Sequence, residues 1–310
     1  MIAKRSNTLL RIICWCVALS LLIPVAVMLS SGVSASGDIF LHLWESVLPD
    51  YITNTLLLGL LVVLLSVFFG VISSALVVYS NVFGKRYLRW LLMLPLAMPA
   101  YLVAYLYTDL FDYAGIVQRT LRDFFNWQSP QDYWFFDIRT IPGAAFVLAL
   151  VLYPYVYMLA RTAFEQQDQH LSRASRLLGL TAKQSFFKVS LPLSRPAIAV
   201  AATLVLMETL ADFATVQYFA VNTLTTAIYD TWLGYGDLLT ANALASVLML
   251  FILFIVVFEL RARVDMRHQS ARPNTKKSVF KLSLIQQLSA TIFCWLLVVL
   301  GFLLPFSLLI

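Results

Sequence analysis

The sequence predicts an all-α membrane protein, a polytopic helical bundle, and three observations predict it. Of the 310 residues, 61% are hydrophobic and only 12% are charged, with a mean hydropathy of +0.83. A soluble domain is about 45–50% apolar and about 25% charged, and a soluble fold of this length has too little interior to hide the excess. The apolar residues gather into windows near the roughly 20 residues a helix needs to cross the hydrocarbon core. The basic residues concentrate in alternate segments between those windows. A cytosolic enzyme, a secreted disulfide scaffold and a disordered chain are thereby excluded.

The windows that qualify fall at about 9–30, 54–79, 90–108, 141–160, 197–219, 241–260 and 286–310. The first is too long and unbroken for a signal peptide, so it reads as a retained anchor. The third carries Pro95 and Pro99, which predict a kink or loosened hydrogen bonding. Of the 22 Lys and Arg, all but Arg119, Arg122 and Arg139 lie before or at the very start of the first window or follow the second, fourth and sixth. The opposite segments hold most of the acids, among them Asp38, Glu45, Asp109, Asp112 and Asp237. The positive-inside rule then puts the N-terminus in the cytoplasm. The net charge of +6 is a topology signal, with membrane lipid as the surroundings and no nucleic acid as partner. Cys14, Cys16 and Cys294 lie in apolar runs without CxxC spacing, and they read as small apolar residues. His42, His170 and His268 lack ligand spacing, so no metal site is assigned.

Residues 161–196 read RTAFEQQDQHLSRASRLLGLTAKQSFFKVSLPLSRP. Leu171, Ala174, Leu177 and Leu178 fall at helical spacing. Gly179 then breaks the helix as a natural C-cap. Thr181 is placed to cap a second short helix containing Phe186, Phe187 and Val189, which Pro192 and Pro196 are expected to end before the fifth window. A short apolar-faced helix pair suits docking into a groove of a soluble partner. The other reading is a basic amphipathic loop lying on the membrane surface.

This segment resembles the EAA loop of ABC importer permeases, whose pattern runs Glu-Ala-Ala, then Gly four residues on, then a hydrophobic-x-Leu-Pro close. Ala174, Gly179, Leu191 and Pro192 match that pattern. Arg173 stands in the place of the Glu, removing one polar contact the family makes with its ATPase, and Ser175 replaces the second Ala. The resemblance implies a type I permease fold of about six spans plus one extra C-terminal span. It also implies that Arg173, Ala174, Ser175, Gly179, Leu191 and Pro192 belong to an ATPase-coupling loop seated on a dimeric cytoplasmic ABC ATPase. The chain has no GxxxxGK[ST] sequence, so it reads as a transport subunit and not an enzyme. No cofactor is expected on it, and ATP is expected to be used by the partner.

Two stretches, residues 94–115 (LPLAMPAYLVAYLYTDLFDYAG) and 207–237 (METLADFATVQYFAVNTLTTAIYDTWLGYGD), resemble the ferric-iron branch of these permeases, with Ala214 where Gly is expected. That branch implies delivery by a periplasmic iron-binding protein at the bacterial inner membrane. The residues also carry their own chemistry. Glu208 and Asp212 lie four apart in the fifth window, so they are expected to share one helix face. Ionisable residues within a span cost roughly 2.5–3.5 kcal/mol on insertion scales and avoid lipid. They read either as an acidic lining of a cation path, carboxylates being hard ligands, or as buried structural groups. Tyr101 and Tyr105 share a face and admit two readings as well, oxygen ligands or an interfacial aromatic belt. The belt reading extends to Tyr153, Tyr155 and Tyr157.

The first window contains IICWCVALSLLIPV (12–25) and the last IFCWLLVVLGFLLPF (292–306), each preceded by a basic segment. Cys14-Trp15 corresponds to Cys294-Trp295 and Pro24 to Pro305, the pattern of an internal repeat. Ferric-iron permeases carry two fused halves. The expected division is therefore an anchor span and periplasmic loop (1–53), a permease domain (54–260), a basic cytoplasmic linker (261–281), and the first span of a truncated second half (282–310). The alternatives are a permease for thiamine, polyamine or another small solute, and an ion-coupled secondary transporter.

Overall fold

The computed structural model describes residues 2–33, 45, 48–264 and 282–310, so most of the expected linker lies outside the described residues. Every helix or turn of helix among them is α, 3-10 or π, and six helices are long and apolar enough to cross a membrane. A seventh span is formed if one bent pair is counted. The chain divides into two compact units, residues 1–53 with 223–253 and residues 54–222 with 254–310.

The first unit contains α1 (Ile2–Val33), the start of α2 (Leu48–Tyr79), α11 (Leu224–Tyr229), a π turn (Asp230–Gly234) and the start of α12 (Leu238–Val264). Asp237 begins α12 by accepting from the N–H of Leu239 and Thr240, both at 3.1 Å. These hydrogen bonds, that of the Thr240 hydroxyl foremost, hold its carboxyl below the usual carboxylate range. No residue in the α1 span window is buried, as expected of a helix apolar on all sides whose neighbours are lipid or another chain.

The second unit is built around α6 (Ile141–Gln166), of whose span window 72% is buried. Thr140 caps its start, accepting from Gly143 N at 3.3 Å. Small residues on and against α6 allow close approach, as in membrane helix pairs generally. Ala144, Ala145 and Ala149 are fully buried. Gly70 of α2 lies so near that an added Cβ would fall 2.5 Å from Val156 Cβ. Tyr153 and Tyr157 are fully buried in this core, which corrects the interfacial-belt reading for both. They point inward because α6 is surrounded by protein rather than lipid.

The third window breaks where its prolines stand. It runs as α3 (Lys85–Leu91), a 3-10 turn (Leu94–Ala97), α4 (Ala100–Phe111) and α5 (Ile116–Phe125), with an 88° bend at the break between Ala97 and Ala100. Pro95 opens the 3-10 turn and Pro99 precedes the first residue of α4, positions where a missing N–H costs little.

The fifth window corrects an expectation. Pro192 and Pro196 do not end a helix. Instead α8 (Ala182–Ser185), a π turn (Phe186–Ser190) and α9 (Leu191–Ala211) run on continuously, with Pro192 in the first turn of α9 and Pro196 inside it. The last window repeats the device as α13 (Leu284–Val298), a π turn (Val299–Leu303) and α14 (Leu304–Leu309), with Pro305 in the first turn of α14. In each case side chains meet the carbonyls of the widened turn. Ser190 O accepts from Gln167 Nε2 at 2.7 Å and from Ser194 Oγ at 3.1 Å, while Leu300 O accepts from Tyr107 Oη at 2.7 Å. The last span is seated in the second unit through buried Cys294 and through Gly301, whose Cβ would lie 2.7 Å from Pro95 Cγ.

Gly70→Val and Gly301→Val are expected to destabilise the purified protein by roughly 1–3 kcal/mol through overpacking. Gly234→Ala, with nothing within 4 Å of the added carbon, is expected to be neutral. Thermal denaturation in detergent measures the difference.

Candidate functional site: a helix pair outside the bundle and an acidic cluster within it

α7 (Gln169–Leu177) is amphipathic, and it ends where the sequence places its break. Gly179 adopts φ +88°, a conformation costly to residues with a Cβ. Its N–H bonds Arg176 O at 3.0 Å, and the Leu180 N–H bonds Ser175 O at 3.1 Å, closing the helix. Thr181 and Gln184 form a capping box that starts α8. The two short helices are joined by the buried hydroxyls of Ser175 and Ser185, 2.6 Å apart. Ser175, in the place of an alanine in the family pattern, thus supplies a polar link. Ala174 is exposed, and Leu177 and Leu178 are 89% and 85% exposed at the turn. Arg173 lies in α7 with its side chain outside the described residues. Leu191 and Pro192 open α9, both half-buried.

One residue that sequence reasoning missed ties this pair to the bundle. Gln167 accepts from Tyr79 Oη at 2.9 Å and donates to Ser190 O and Ser194 Oγ, both at 2.7 Å. The end of α2, the end of α6 and the π turn thereby meet at one amide. A glutamine among QQDQ carries no signal in sequence, because its role follows from tertiary neighbours. Beside it, Glu165 pairs with Arg161 at 3.1 Å and approaches Arg89 of α3 at 3.8 Å.

The acidic pair sits elsewhere in the second unit, with Glu208 inside α9 and Asp212 at its end. α9 ends at Ala211, so Asp212 lies one residue beyond it in extended backbone. Its carboxylate starts α10 (Ala214–Tyr218), accepting from Thr215 Oγ1 at 2.8 Å and Val216 N at 3.1 Å. An aspartate that can bond the next turn's N–H groups favours a break over helix continuation. Glu208 remains in α9, exposed in this chain, and interacts with the Tyr155 hydroxyl of α6. Tyr105 of α4 packs on Tyr218 of α10 with ring centroids 5.7 Å apart, and Tyr101 is exposed one turn away. Around α10 the fold therefore gathers Asp212 and Tyr105, with Glu208 one turn back in α9. Tyr107, by contrast, is buried against the last span. Among the described residues no group of three or more His, Cys, Asp or Glu could hold a metal ion.

Residues 66–268 match the binding-protein-dependent transport system inner membrane component family, and the chain belongs to it. It is a multi-pass membrane subunit of the ABC importer permease class, which sets aside an ion-coupled secondary transporter. It is 30% identical over 179 residues to the molybdenum transport system permease protein ModB of Escherichia coli (strain K12), covering 58% of this chain and 72% of that protein. It is 24% identical over 213 residues to the Fe(3+)-transport system permease protein FbpB 2 of Haemophilus influenzae, covering 69% of this chain and only 37% of that one. Its fold is similar to that of a chain in the crystal structure of a bacterial ABC transporter that imports the acidic polysaccharide alginate. That match has a TM-score of 0.67 at 17% identity over 85% of this chain and 97% of the other. The fold of this chain is likewise similar, with a TM-score of 0.66 at 17% identity, to that of a chain in the crystal structure of a bacterial alginate ABC transporter in complex with an alginate pentasaccharide-bound periplasmic protein.

Gln167→Ala removes three hydrogen bonds, each contributing about 1 kcal/mol. It is expected to leave membrane insertion intact but to speed tryptic cleavage after Arg176 and Lys183, read by timed proteolysis in membrane vesicles.

Proposed function

We propose that the chain is the membrane-spanning permease of an ATP-driven importer that carries ferric iron from the periplasm to the cytoplasm of a bacterium. The observation that carries the coupling half of this reading is the Gly179-capped helix pair with Leu177 and Leu178 turned outward. Two large apolar side chains held in water on a rigid pair are costly unless a partner covers them, and a groove on a dimeric cytoplasmic ATPase fits. The basic segments then lie on the cytoplasmic side with the N-terminus. A periplasmic iron-binding protein delivers to the opposite face, and ATP is consumed by the ATPase.

The cargo reading rests on Glu208, Asp212, Tyr101 and Tyr105 around α10. Two carboxylates one turn apart favour a hard cation and repel an anion such as an oxyanion, which is the cargo class suggested by the 30% identity to the molybdenum permease. Asp212 contributes its charge while serving as a cap, so Glu208 is the freer ligand. Residues 282–310 fit the opening span of a second permease half, on the strength of the Cys-Trp and Pro correspondences with residues 12–25.

In cells expressing the transporter, Glu208→Gln is expected to lower uptake of radiolabelled ferric iron by on the order of tenfold, the scale of losing a ligand-shell group. Accumulation of molybdate without iron would overturn the cargo reading. Gly179→Pro cannot adopt the positive φ and lacks the N–H that bonds Arg176. It is expected to abolish uptake while the protein stays in the membrane, and normal uptake by that variant would overturn the coupling reading.

A further inference from the structure

A groove of about 1280 Å³ lies in the second unit between α2, the α8–α9 segment and α13. Its lining is sorted along its length. At one end stand Tyr79, Ser80, Lys183 and Gln286, with Arg195 on the first turns of α9, and at the other end stand Val67, Phe68 and Phe293. Among the described residues, Lys183 and Arg195 are the charged residues that line it, and no described carboxylate does. Both are exposed, and neither has an ion pair among the described residues. The two cations belong to the basic side of the chain.

The length of the groove decides what fits it. From Val67 to Tyr79 is twelve residues of α2, about 18 Å at 1.5 Å per residue, and the α13 wall from Leu282 to Phe293 is of similar length. Half of a hydrocarbon core roughly 30 Å thick is about 15 Å. The groove is thus as deep as one leaflet, whereas a spanning helix of a partner would need a wall about twice as long. We propose that this groove binds an anionic phospholipid of the leaflet on the basic side. Its phosphate-bearing headgroup meets Lys183 and Arg195, and an acyl chain runs along Ile72 and Phe68 to Phe293. Lysine and arginine near a membrane surface attract acidic lipid, and their apolar stems pack along the chain as their heads reach the phosphate. The site borders the Phe186–Ser190 π turn, so the lipid props the joint between the helix pair and α9.

The test uses the full chain in nanodiscs of equal parts phosphatidylcholine and phosphatidylglycerol. Either lipid is spiked with the same analogue bearing a photoreactive acyl chain. Phosphatidylglycerol is expected to label residues 67–76 and 289–293 on the order of tenfold more than phosphatidylcholine at low salt, less so as salt rises. Lys183→Gln with Arg195→Gln is expected to bring labelling down to the phosphatidylcholine level. Ala75→Trp, which fills the groove, is expected to remove labelling by both. Equal labelling of the wild type by the two lipids overturns the proposal. So does a preference that survives the double charge substitution. Walls left unlabelled, as they would be if a second permease half covered the groove, overturn it too.

Discussion

A helix that breaks inside a bilayer must find hydrogen-bond partners for its freed backbone groups within the protein. The unit formed by residues 54–222 and 254–310 is organised by that requirement. Prolines and an aspartate interrupt three of its spans, and in α9 and the last span side chains from another element or from the next turn meet the backbone there. Tyr107 reaches the carbonyl of Leu300, Gln167 and Ser194 reach that of Ser190, and Asp212 takes the N–H of Val216. The breaks are possible because α6 packs beside them as a buried column that excludes lipid, with Gly70 and Gly301 letting α2 and the last span close around it.

The same breaks connect the two functional regions. α9 carries the π turn and the helix pair at one end and Asp212 at the other, about 32 Å apart for 21 residues of helix. α8 joins α9 through the continuous backbone of the π turn, and the Gln167 amide ties that turn to α2 and α6. A π turn is a point where a helix tightens or widens by one residue, so the joint can yield without unfolding either helix. An acidic cluster at the far end of such a lever is well placed to change its exposure as the lever moves.

Much of this was legible in the sequence. The windows and basic segments gave the number of spans, because hydrophobic length and charge are local properties. Pro95 and Pro99 marked the broken third span, and Gly179 and Thr181 marked the helix pair, because each needs a particular backbone conformation or cap. The path of Pro192 was misread, since a proline in the first turn of a helix costs little and the widened Phe186–Ser190 turn lets α8 run on into α9. The end of α9 at Asp212 was not foreseen for a related reason, as its carboxylate bonds the next helix and so depends on residues 215 and 216. Tyr153 and Tyr157 could not be assigned to core or interface from spacing, because the distinction depends on which span the others surround.

A single cross-linking measurement tests most directly whether the α7–α8 pair is the surface through which an ATPase moves this bundle. Leu178→Cys, in a chain whose Cys14, Cys16 and Cys294 are replaced by alanine, is modified with a maleimide bearing a photoreactive benzophenone in membranes that also contain the transporter's ATPase subunit, and the membranes are illuminated. Docking predicts a covalent adduct joining the chain to that ATPase, its yield changing with ATP. A benzophenone that forms no such adduct and cross-links instead to lipid acyl chains would mean that the pair lies on the lipid surface, and would contradict that role.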